Sequence, residues 1–273
     1  MLRKKETNKS KDRKQKLPPL PSFSQIFKQA WVFLKKNFQV LFLAALILNL
    51  PIVLVDELVV NKISQEVEKG NINLEEVEFY SYQEILEKFY GTEVFRIILF
   101  TVILGVLVSL LESLIGIYAV KQATGNKKLE LKELFGGLFK QFFPFLGVTI
   151  LVFLTILGGL LLLVVPGVIF GVWFSLAPMV LIFEGVGGVT ALKKSKFLVK
   201  GYFKKVLGYS ILIGIIIGAI NGFISAFQNV SFGFLVLFFE AVAALALMFE
   251  FIFITYLYLE IKKAKEKTGN LSV

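Results

Sequence analysis

The chain has 273 residues, of which 56% are hydrophobic and 18% charged, with a net charge of +10 and a mean hydropathy of +0.75. It contains no cysteine and no histidine, which excludes disulfides, thiolate metal sites, a His general base and His-ligated metal or haem. A soluble domain would carry about 25% charged residues, spread more evenly; here charge-free stretches alternate with basic ones, the pattern of a chain passing between lipid and water.

Residues 1–21 are basic, polar and end in a Pro-rich stretch. They cannot bury a core and are expected to form a disordered tail. The first apolar run begins near Phe38, with no small-residue cleavage site after it, which argues against a signal peptide. Between them, Phe23, Ile26, Phe27, Ala30, Trp31 and Leu34 recur at helical spacing, with Lys28, Lys35 and Lys36 opposite. This predicts an amphipathic helix lying in the membrane interface.

Six apolar segments follow, near 38–58, 95–120, 142–164, 166–186, 206–228 and 232–259. From Gln141 to Phe183 the chain has no charge. One helix of that length would reach about 60 Å at 1.5 Å per residue, twice the roughly 30 Å hydrocarbon core. The chain must therefore fold back, and Pro166-Gly167 is the expected break. Pro178 is expected to kink the fourth span. Residues 22–260 thus read as an all-α polytopic membrane bundle of six transmembrane helices, and 261–273 as a basic tail.

Lys and Arg number eleven in 1–37, five in 121–143, six in 185–205 and four in 260–273. The connection 56–93 holds three, against ten acidic residues. The positive-inside rule then places both termini in the cytoplasm and the acidic loop 59–93 outside. That loop reads as short helices or a hairpin around Gly70-Asn71, and its carboxylates lack calcium-loop spacing. The expected location is the cell (inner) membrane. The positive charge flanks apolar segments, which points to anionic lipid headgroups rather than nucleic acid.

Three amphipathic segments precede transmembrane pairs, beginning near Ser24, Leu131 and Thr190. Shifts of 105 and 165 residues align Ile26 with Leu131 and Ala191, Lys35 with Lys140 and Lys200, and Phe38 with Phe143 and Phe203. An interfacial helix followed by a transmembrane hairpin, used three times, accounts for this spacing.

Four carboxylates fall within spans: Glu112, Glu184, Glu240 and Glu250. Each would cost about 2.5–3.5 kcal/mol if central and lipid-facing. Glu184 and Glu112 are expected to pair with Lys121 or the lysines of 193–205, Lys193 and Lys200 among them, pinning the amphipathic segment to the bundle. Asn221 and Gln228 are expected to hydrogen-bond between helices. Small residues four apart (Gly214, Gly218 and Gly222; Gly167, Gly171 and Ser175; Gly105, Ser109 and Ser113) are expected to pack within the bundle rather than between copies. No nucleophile elbow, P-loop, metal-ligand or Rossmann pattern occurs, so no catalytic residue, metal or cofactor is expected.

The stretch from Leu163 to Gly208 resembles the glycerophosphoryl diester phosphodiesterase membrane-domain family and related bacterial inner-membrane proteins of unknown function. The residues that carry the resemblance are Pro166 and Gly167, Ser175 to Pro178, Glu184-Gly185, Ala191-Leu192, Ser195, Gly201 and Phe203. The family often has Arg before the Ser-Leu-Ala-Pro stretch and Trp after the later Ser; here Trp173 or Phe174, and Lys196, stand there. The resemblance implies a membrane domain and covers no phosphodiesterase domain. The expected function is a non-enzymatic membrane protein that scaffolds, organises lipid or supports a protein partner. The alternative is a small transporter or channel lined by Glu112, Glu240, Asn221 and Glu250; an enzyme acting on a lipid headgroup ranks last.

Overall fold

A computed structural model describes residues 17–69, 93–125, 128–228 and 234–268. Helices account for nearly all of them: α1 (Phe23–Lys36), α2 (Phe38–Glu68), α3 (Glu93–Thr124), α4 (Leu131–Leu162), α5 (Val164–Phe174), α6 (Ala177–Glu184), α7 (Gly188–Val199), α8 (Phe203–Gln228) and α9 (Phe234–Glu266). Six stretches are long and apolar enough to cross a membrane: 38–62, 95–124, 131–162, 164–184, 203–227 and 235–266. The protein is therefore an all-helical, multi-pass membrane protein. Most of the loop 59–93, including Gly70-Asn71, and the turn at Asn229 lie outside the described residues.

The last helix is the organising element. α9 packs against α1, α2, α3 and α8, burying Ala241, Ala244, Met248, Ile252 and Phe253. Lipid tails are as apolar as Leu, so burial alone does not hold such helices together; close packing and interhelical hydrogen bonds do. Gly116 on α3 shows the packing, since a Cβ there would lie 2.7 Å from the Met248 carbonyl oxygen.

The fold-back comes three residues earlier than Pro166. α4 ends at Leu162, and Leu163 takes an extended conformation (φ −170°, ψ 155°). The Pro166 ring would clash with the Leu162 carbonyl if the helix continued. Pro166 instead occupies the first turn of α5, where no N–H is needed. Gly159 and Gly167 let α4 and α5 touch backbone to backbone; a Cβ on Gly159 would lie 2.9 Å from Gly167 Cα. Pro178 does more than kink the fourth span. It divides that span into α5 and α6 around Ser175 and Leu176, and sits in the first turn of α6.

The boundaries also move. The amphipathic stretch from Leu131 is continuous with the third span, through Pro144, and is not a separate helix. Leu17 to Pro21 are held in place rather than disordered, because Tyr202, Lys205 and Tyr209 donate to the carbonyls of Pro18, Leu20 and Pro21 at 2.8–3.1 Å. At the other terminus, α9 runs on to Glu266 and buries Ile261 and Ala264, so the expected basic tail starts later than residue 261.

The threefold pattern holds best between its first and third units. In α1 the buried residues are Ile26, Ala30, Phe33 and Leu34. A shift of 165 residues carries them onto Ala191, Ser195, Leu198 and Val199, all buried in α7. Each helix then breaks before a span, at Asn37 and at Lys200 to Tyr202. The second unit departs from this register, since its aligned Phe139 is 82% exposed.

Candidate functional site

Apart from Pro166 and Gly167 at the α4–α5 turn, the residues that carried the family resemblance gather at one end of the bundle, where α6, α7, the start of α8 and the end of α9 meet. Dividing the fourth span at Pro178 leaves backbone groups without helical partners, a heavy cost in lipid unless side chains replace them. Ser195, fully buried on α7, supplies both roles. Its Oγ donates to the Trp173 carbonyl at 2.7 Å and accepts the Leu176 N–H at 3.2 Å. The Ser-Leu-Ala-Pro stretch and the later Ser are thus two halves of one joint.

α6 ends at Glu184. Gly185 follows in the left-handed conformation (φ 70°), donating its N–H to the Leu181 carbonyl at 2.9 Å. Glycine caps a helix this way without the steric penalty of a Cβ. The Glu184 carboxylate therefore projects from a helix C-terminus, an unfavourable place for negative charge. Two cations and a hydroxyl offset this. Lys194 of α7 reaches Oε2 at 3.0 Å; Lys262 and the Tyr258 hydroxyl, both from α9, reach Oε1 at 3.1 and 2.9 Å. The carboxylate links three helices. Lys121 of α3 donates to the neighbouring Ile182 carbonyl, closing the α3 side of the joint.

One face of α9 does much of this. Tyr258, Lys262 and Lys265 lie four and three residues apart and so share a face. Lys265, 5% exposed, donates to the Lys200 carbonyl at 2.8 Å, with Phe197 4.8 Å from its ammonium. It caps the end of α7 where the chain turns through Gly201 (φ 95°) into α8. Beside this joint the Lys196 ammonium lies 4.0 Å from the Trp173 ring.

The pairing of Glu184 with the α7 lysines thus uses Lys194. The expected Lys193 and Lys200 side chains are exposed, and only the Lys200 carbonyl joins the network. Glu112 pairs differently from expectation. It is buried in mid-bundle and accepts from Asn49 Nδ2 of α2 at 2.8 Å rather than from a lysine. Asn49 gives its second amide hydrogen to the Ala45 carbonyl. Glu240 lies within electrostatic range of Glu112, whereas Glu250 is about 15 Å from Glu240 along α9 at 1.5 Å per residue. Asn221 Oδ1 is buried with no hydrogen-bond partner among the described residues, so this side chain accepts no interhelical bond there. Among the described residues, no neighbouring atom lies within 4 Å of where a Cβ on Gly214, Gly218 or Gly222 would be, so this stripe does not pack within the bundle as expected. In the Gly105, Ser109 and Ser113 stripe, Gly105 is open and Ser113 is buried. Among the described residues, no group of three or more carboxylates could hold a metal ion.

Sequence reasoning missed Asn49, Tyr258, Lys262 and Lys265. For the three on α9 a signal existed, since their spacing marks one helical face, but nothing in the sequence identifies the helix that face meets. Two grooves complete this end. The larger, about 1090 Å³, lies between α1, the start of α2 and the segment after α3, with Lys28, Lys36 and Lys128 in its lining. The smaller, about 440 Å³, adjoins it across Gln29 and Tyr256 and is lined by Glu260, Lys262, Lys263 and Glu266. Neither includes Glu112, Glu240, Glu250 or Asn221.

The profile of an uncharacterised protein family (UPF0259) matches residues 22–260, and the chain belongs to that family. No curated protein and no solved structure matches it.

Proposed function

We propose that this UPF0259 member is a non-enzymatic membrane domain that presents two basic interfacial helices, α1 and α7, to anionic lipid headgroups at the cytoplasmic face. There it organises lipid or supports a protein partner. The observation that carries this reading is the way α7 is mounted. Glu184, Ser195 and Lys265 lock its buried face to the bundle, while Lys193, Lys196 and Lys200 are left exposed. α1 follows the same plan, burying Ile26, Ala30, Phe33 and Leu34 and exposing Lys28, Lys35 and Lys36. Exposed ammonium groups beside a span each gain about 1 kcal/mol near an anionic leaflet. The exposed Trp31 and Phe38 suit the headgroup level.

The likeness of the Pro166 to Phe203 stretch to the glycerophosphoryl diester phosphodiesterase membrane domain supports a distant kinship of membrane domains. It supports no hydrolysis of lipids. The test is hydrogen exchange on the full chain in vesicles of phosphatidylcholine with and without phosphatidylglycerol. Backbone protection of α1 and α7 is expected to rise with the anionic lipid. Unchanged protection in both helices, or dissipation of an ion gradient by the same vesicles, would replace this reading with transport.

A further inference from the structure

We infer that the larger groove holds the phosphate headgroup of a single anionic glycerophospholipid, an inference that rests on the lipid-facing reading above and assigns it one site. Three lysines, Lys28 and Lys36 on α1 and Lys128 after α3, line the groove, and among the described residues no Asp or Glu does. None of the three is in an ion pair among the described residues. The adjoining smaller groove has two acidic and two basic residues in its lining, so the unbalanced charge belongs to the larger one. Three lysines around one concavity, with no acidic residue in its lining among the described residues, match a phosphate diester, whose oxygens accept several charge-assisted hydrogen bonds.

Size and position select a lipid over a free anion. A volume of about 1090 Å³ lies just above the roughly 300–1,000 Å³ typical of small-molecule sites, far more than inorganic phosphate requires. Phe33, Val40 and Leu129 add an apolar wall. The groove also sits where α1 ends at Asn37 and the first span begins at Phe38, the level at which headgroups meet a span. The three lysines are exposed and can be neutralised without disturbing the core.

Native mass spectrometry of the full chain in detergent, titrated with phosphatidylglycerol and phosphatidylcholine, tests the assignment. The parent is expected to retain one phosphatidylglycerol at least about tenfold more tightly than phosphatidylcholine. The triple variant K28Q/K36Q/K128Q should lose that preference. K132Q/K140Q/K204Q, which removes the same charge outside the groove, should stay within about twofold of the parent. Millimolar inorganic phosphate should not displace the lipid. Equal losses in both variants would overturn the site while leaving a diffuse basic surface, and with it the broader reading, intact. Displacement by phosphate would make the groove a soluble-anion site and overturn the lipid assignment. Absence of any preference in the parent would overturn both.

Discussion

Replacing Glu184 by Gln removes the charge at the α6, α7 and α9 joint while keeping its shape. The parent carboxylate accepts from Lys194, Lys262 and Tyr258 at 2.9–3.1 Å. Hydrogen bonds to a charged group contribute about 1.5–3 kcal/mol each. The glutamate side chain is 15% exposed and the lysines 31% and 28%, so the surroundings screen the ionic part and each lysine contact falls toward about 1 kcal/mol. Gln retains an acceptor for the Tyr258 hydroxyl. Removing a negative charge from a helix C-terminus also returns about 0.3–1 kcal/mol. The balance for Glu184→Gln is a loss of about 1 kcal/mol, rising to about 2–3 kcal/mol for Glu184→Ala, which leaves the buried Tyr258 hydroxyl without an acceptor. Equilibrium unfolding in mixed detergent and SDS micelles, followed by tryptophan fluorescence, measures these values. A double-mutant cycle with Lys194→Met should give a coupling of about 0.5–1 kcal/mol. A parent-like Glu184→Gln together with a coupling near zero would refute the pinning of α7 by this carboxylate.

Ser195→Ala should destabilise by about 1–3 kcal/mol in the same assay, because it strands the Leu176 N–H in a buried joint. Gly159→Ala should cost about 1–3 kcal/mol, since its Cβ would meet the α5 backbone, whereas Gly218→Ala, with open space around it, should unfold no earlier than the parent. Tyr202→Phe combined with Tyr209→Phe removes two hydroxyls that hold Pro18 and Pro21. Limited proteolysis of the N-terminal segment should accelerate, with the stability of the bundle lowered by about 1–3 kcal/mol at most. A doubly substituted protein cleaved at the parental rate would show that Leu20 packing and the Lys205 hydrogen bond suffice to secure this segment.

Much of the architecture was legible because a bilayer imposes lengths and composition on a chain segment by segment. The six spans follow from runs of apolar residues, and each was found within a few residues except where helix continued beyond the apolar window, as in α4 before Phe142 and α9 after Leu259. Pro166 and Pro178 announced breaks because a proline acts on its own four preceding residues. Their consequences were not local. Pro166 displaced the break to Leu163, and the span broken at Pro178 required Ser195, nineteen residues after Leu176, to satisfy its backbone.

The joint itself shows where local reasoning stops. That Glu184 needed cations was plain from the cost of a carboxylate in lipid. Which cations was decided by the azimuth of α7, which turns Lys194 inward and Lys193 out, and by the docking of α9, which brings Lys262 and Tyr258 from seventy-odd residues away. Glu112 found an amide in α2 instead of a lysine for the same reason. The glycine stripe of α8 read as a packing face, yet α8 turns it to open space. The sequence alone determined how many helices cross, where prolines interrupt them and which residues could not remain alone in lipid. Only the tertiary structure decided their partners, because helical periodicity specifies which residues share a face, while the neighbour that face meets depends on how all the helices pack at once.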